Sequence, residues 1–147
     1  MRTRQILCPT DFSETASHAL VYAIEVASLY GVDLRIIHVV SEPYSVHNYG
    51  IVVESDEELE QHLYAYANGK LDQIVQETQA KMPVGLKVQS QVRAGGVLGQ
   101  IILDAEENDV GMIVIASHGH TGLAHLLNPS VAEALANKAK CPVMVVK

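Results

Sequence analysis

Residues 116–130 read ASHGHTGLAHLLNPS, between an apolar run and a helical one. The small residues suit a loop whose backbone N–H groups hold phosphate. Gly119 and Gly122 let the main chain approach a ligand closely or take positive φ. A helix N-terminus following such a loop is a ready anion site. The start of that helix can be read two ways. Ser130-Val131-Ala132-Glu133 fits a capping box with Ser130 as N-cap. Alternatively Asn128 caps, and Pro129 takes the first helical position. In both readings Ser130 and Val131 can offer N–H groups, and Pro129 cannot.

At the other end of the chain, Pro9-Thr10-Asp11-Phe12-Ser13 leaves a short apolar run. The Asp11 carboxylate has two readings. It can accept hydrogen bonds from a ribose or an adenine amine, or it can cap the following helix with Ser13. His118, His120 and His125 crowd into the loop, but no carboxylate or cysteine lies within it and the spacing matches no common zinc pattern. His38, at the end of an apolar run, reads as a hydrogen-bonded core or rim residue rather than a catalyst. No G-x-x-x-x-G-K-[ST], no G-x-G-x-x-G after the first strand and no G-x-S-x-G occurs. No nucleophile–base pair is evident, so an enzyme is the less favoured reading.

The elements that must position these residues alternate. Strand patterns cover Gln5–Pro9, Asp33–Val40, Leu86–Arg93, Gly111–Ala116 and Pro142–Val146. All but the third are nearly continuous apolar runs, the pattern of parallel strands covered on both faces. Helical patterns cover Ser13–Tyr30, Ser55 to about Lys81, Val97–Glu107 and Ser130–Lys140. Ser13 is an N-cap and Gly31 a stop for the first helix. The second is acid-led, which suits the positive end of a helix dipole. Such alternation predicts right-handed crossovers in an open α/β sheet, with a ligand beyond the strand C-termini. Ser41–Glu54 is irregular, with Pro43 and Gly50, and reads as a surface crossover or a lid.

The chain has 147 residues, the size of one domain, and no internal repeat or linker. Apolar residues make up 48% and charged residues 18%, an ordinary globular composition. A net charge of −7 argues against nucleic acid, which needs a basic surface. Cys8 and Cys141 lie in apolar runs and read as reduced core thiols. With no signal peptide and no apolar run of membrane-spanning length, a cytoplasmic protein is expected.

The opening ILCPTDFSETASHAL, the run LRIIHVV, the VRAGG stretch and the end MIVIASHGHTGLAHLLNPSVAEALANKAKCPVMVVK together resemble the universal stress protein family, UspA-like, over the whole chain. The resemblance implies a Rossmann-like, adenine nucleotide alpha hydrolase-like fold, with five parallel strands in the order 3-2-1-4-5. It also implies a cytosolic homodimer of a stress-response protein and, in many members, ATP or AMP at the ends of strands one and four. The family pattern is G-x-x-G, nine residues, then G-[ST]. It falls here on Ala116, Gly119, Pro129 and Ser130, so two of its three glycines are replaced. Asp11 matches the base- and ribose-side aspartate, with Pro9 and Thr10 in the same loop. Val39 matches the backbone contact to adenine, and Gly122 and Val131 fall in the phosphate region. His120 stands where many ATP-binding members carry a basic residue, and no Lys or Arg occurs from Ala94 to Asn137.

The implied site therefore has an intact adenosine half and a weakened triphosphate half. Weak binding of AMP or ATP is expected, with poor discrimination between them or a need for Mg²⁺. If His120 supplies charge, binding strengthens below about pH 6.5. Strand 142–146 forms a little-protected edge, which predicts a two-fold dimer. The alternatives are a dimeric interaction protein that binds no nucleotide, and a slow ATP hydrolase. The protein partner that reads the module is not named by the sequence.

Overall fold

A computed structural model of the chain describes residues 4–40, 56–117 and 127–147. Its elements run β1 (Ile6–Pro9), α1 (Glu14–Tyr30), β2 (Leu34–Val40), α2 (Asp56–Gln79), β3 (Val88–Ala94), α3 (Val97–Glu107), β4 (Met112–Ala116), α4 (Pro129–Lys138) and β5 (Val143–Val146). The strands form one parallel sheet in the order β3-β2-β1-β4-β5. The expected irregular segment Ser41–Glu54 lies outside the described residues.

Alternation along β2 sorts the two layers. Leu34 and Ile36 pack with Ala19, Ala23 and Leu71 of α1 and α2. Ile37 and Val39 pack with Ile101 of α3 and Leu135 of α4. The small residues Ala16, Ala19, Ala23 and Ala27 form the buried stripe of α1 and let that helix lie close over the sheet. Ser13 caps α1 by accepting from Ala16 N–H, and Gly31 ends it in the left-handed conformation at φ 66°. Both signals are local, which is why the sequence shows them.

Three expectations need correction. β3 begins at Val88 rather than Leu86 and is largely exposed, because it is a sheet edge only partly covered by helices. β5 is also only half-covered, so its apolar run does not mean burial on both faces. Cys8 is buried and its thiol is pushed up to about 12 by desolvation, as suits a core thiol. Cys141 is only half-buried and precedes β5 instead of lying in the core.

One buried cluster has no counterpart in the apolar patterns. Arg35 interrupts the run of β2, yet it is 6% exposed, and Asp104 of α3 is wholly buried. Arg35 clasps Asp104 with two hydrogen bonds, Nε to Oδ2 at 2.7 Å and Nη2 to Oδ1 at 2.8 Å. Arg93 of β3 donates to the same carboxylate at 2.9 Å, and Gln91 takes a further Arg35 N–H. Removing one partner of such a buried group costs about 3–5 kcal/mol, because the other charge is left uncompensated. The cluster ties the β3 edge to α3 where apolar cover is thin.

Candidate functional site

The strand ends are staggered. β1 pairs with β2 up to Pro9 opposite Ile37, and Thr10 N–H still donates to Ile37 C=O at 2.8 Å. β2 continues for His38, Val39 and Val40. Val40 C=O accepts from Gly95 N–H on the β3 side. Because peptide groups alternate along a strand, those of Val39 face the β1 side, as those of Ile37 do. No described strand runs there, so Val39 presents its main-chain donor and acceptor to the crevice where the chain of β1 turns away.

The turn that opens this crevice is built by its own side chains. Thr10 Oγ1 accepts from Phe12 N–H at 3.1 Å, and Asp11 Oδ1 accepts from Ser13 N–H at 3.0 Å. These are ST and Asx turns, the local bonds that Thr and Asp favour. Ser13 hydroxyl also donates to Asp11 Oδ1. Phe12 is held at φ 66°, the left-handed region that a bulky residue rarely enters. Of the two readings of Asp11, the helix cap itself is Ser13; Asp11 braces it and turns its other oxygen elsewhere. Asp11 Oδ2 accepts from Leu127 N–H at 3.3 Å. This bond brings the first loop to the segment that leads into α4.

His38 lies beneath the turn and is 1% exposed. Its Nδ1 is 2.8 Å from Thr10 C=O. Its ring stacks on Phe12 with centroids 4.2 Å apart and planes at 22°, and Tyr66 of α2 meets the same phenyl edge-on at 6.1 Å. Burial lowers the His38 pKa, opposed by the Thr10 carbonyl and by the negative charge of Asp11. The ring is therefore neutral at pH 7. Since a carbonyl can only accept, Nδ1 carries the hydrogen and donates it to Thr10.

The start of α4 follows the Asn128 reading. Asn128 is the N-cap, its Oδ1 accepts from Val131 N–H at 3.0 Å, and Pro129 occupies the first turn. Ser130 is therefore not the cap, and Val131 N–H is not a free donor. Leu127 decides between the readings: its backbone is tied to Asp11 and its side chain is buried beside Leu135 and Ala132, which fixes the chain just before Asn128. Ser130 keeps its N–H, with no intrahelical acceptor at the second helical position. Ala116 is 1% exposed and packs among Cys8, Ala19 and Ala23, so its methyl group is accommodated in the core. Gly119, His120 and Gly122 lie outside the described residues, as do His118 and His125.

Thr10, Asp11 and Val39 thus lie at the same end of the sheet, next to buried Pro9, with the α4 start joined to Asp11 through Leu127. The arrangement presents a carboxylate and a strand edge, which suit the hydrogen-bonding rim of a purine nucleoside. Among the described residues it presents few donors to an anion. Sequence reasoning missed Leu127 and Phe12; its reading of His38 as a hydrogen-bonded core or rim residue holds, and only the stacking on Phe12 was not foreseen. The only local hint was the polar His38 inside an apolar strand.

A family model described as the universal stress protein family matches residues 2–147. A universal stress protein of Methanocaldococcus jannaschii is 33% identical, across 98% of this chain and 94% of its own length. The solved structure of that protein matches with a TM-score of 0.79, covering 100% of this chain and 97% of the other. The universal stress protein from Archaeoglobus fulgidus in complex with dAMP matches at 26% identity with a TM-score of 0.66, covering 100% of both chains.

Proposed function

The chain belongs to the universal stress protein family, and from that premise we propose that it is an adenine-nucleotide-binding signalling module. The ligand is AMP or ATP, with or without Mg²⁺, seated at the C-terminal ends of β1 and β4. The observation that carries the reading is the Asp11 carboxylate in the turn that leaves β1, at the sheet end where β2 runs on past β1 through Val39. The dAMP complex of the A. fulgidus relative supports the ligand class. Asp11 and Val39 take the adenosine, with Pro9 and Thr10 shaping the loop. Gly119, His120, Gly122, Ser130 and Val131 belong to the phosphate side, beside Ala116 and Pro129.

The phosphate side is weakened at two points. Pro129 has no N–H, and Val131 N–H already serves Asn128. Each hydrogen bond lost to a charged group is worth about 1.5–3 kcal/mol, so binding depends on the adenosine half. The module acts as a homodimer through the β5 edge, in the cytoplasm, and its stress-response partner reads the loops beside the nucleotide. A fixed cation is an ordinary means of phosphoryl transfer, and the sequence from Ala94 to Asn137 carries no Lys or Arg, which is the ground for reading binding before hydrolysis.

Thermal unfolding against rising AMP and ATP, with and without Mg²⁺, tests the reading. A ligand that binds only the folded state raises the midpoint by mass action. A saturable rise with both nucleotides is the expected outcome. A flat response at millimolar concentration would sink the nucleotide reading and leave the dimeric interaction protein.

A further inference from the structure

Phe12 occupies a backbone conformation that a phenylalanine does not choose by itself. Something beyond the turn must hold it, and the contacts show what does. His38 reaches the turn in two ways at once: Nδ1–H bonds to Thr10 C=O, and the ring lies flat against Phe12. Thr10 and Phe12 flank Asp11, so His38 grips the residues on either side of the carboxylate. Asp11 then carries both Ser13 N–H and Leu127 N–H.

We infer that His38 is a positioning residue, which pre-orients the Asp11 carboxylate for the nucleoside through its hydrogen bond to the Thr10 carbonyl. This inference rests on the nucleotide reading for its ligand, and on the turn geometry alone for its mechanism. A pre-oriented acceptor binds more tightly because its ordering cost is met before the ligand arrives. His38 thereby sets affinity for the base and ribose, not for the phosphates.

Two substitutions separate the donor from the bulk. Asn places its amide nitrogen where Nδ1 stands, two bonds from Cβ; Gln places it one bond further, as Nε2 does. Neither retains the ring or titrates. His38→Asn should bind AMP within about threefold of the native protein, whereas His38→Gln should bind at least about tenfold more weakly, the effect of one misplaced hydrogen bond. Equal AMP affinities in the two variants would overturn the inference.

Amide hydrogen exchange reads the same claim without a ligand. In His38→Gln the Ser13 and Leu127 amides should exchange at least about tenfold faster than in His38→Asn, relative to the core amide of Ile36. Equal relative rates would overturn the positioning role. Failure of the native protein to bind AMP would instead overturn the nucleotide reading, and the exchange rates alone would then decide the role of His38.

Discussion

His38 and Cys8 show how burial sets ionisation in this chain. The Cys8 thiol, pushed up to about 12 by desolvation, has almost no thiolate at neutral pH and packs as a small apolar group. His38 moves the other way, because burial disfavours its cation. A histidine whose folded pKa is lowered contributes stability that is complete above its unfolded pKa, about 6.5. That contribution is lost as pH falls through the lowered folded value, since the unfolded chain then takes up the proton more readily. The urea midpoint of the native protein should therefore fall between pH 6.5 and 5 more steeply than that of His38→Asn, which lacks the titrating ring. Parallel curves would show that the imidazole does not govern acid stability.

At the scale of elements, the start of α4 and the span from β2 to β3 carry the informative features. Asn128 turns its own carboxamide onto Val131 N–H, so the helix end is already satisfied by an internal acceptor. Asn128→Gly keeps a tolerated N-cap and releases that donor. ATP affinity should rise about tenfold, the worth of one hydrogen bond to a charged group, while adenosine affinity stays unchanged. Isothermal calorimetry with the two ligands checks this; unchanged ATP affinity would place the phosphates out of reach of α4. The Arg35–Asp104–Arg93 cluster works differently. It holds β2, β3 and α3 in one register at a sheet edge, through buried polar side chains that bond to one another.

At the scale of the whole molecule, the two sheet edges differ in character. β3 shows Gln89, Ser90 and Gln91 to solvent, whereas β5 shows Val145 and half-covers Val143 and Met144. A short apolar edge with few protective charges is suited to pairing with another chain. Two copies joined edge to edge would bury Val145, which is 40% exposed here. Sedimentation velocity should find a dimer for the native protein and a monomer for Val145→Lys, with the circular dichroism of the fold retained. A dimer that survives the substitution would place the interface elsewhere. Among the described residues no helix is long and apolar enough to cross a membrane.

The sequence by itself determined the elements and their caps, because those signals are local. Ser13 caps α1 within three residues, Gly31 supplies the left-handed stop, and the apolar runs of β1, β2 and β4 mark buried parallel strands. The strand order came from the resemblance, since periodicity carries no information about which strands are neighbours. Only the tertiary structure decided the site. Leu127 N–H meets Asp11 across 116 positions of sequence, and Asp104 meets Arg35 across 69. Asn128 and Ser130 were equal candidates for the α4 cap by local rules. The choice fell to Asn128 because Leu127, anchored from a distant loop and buried in the core, fixes where the helix can begin.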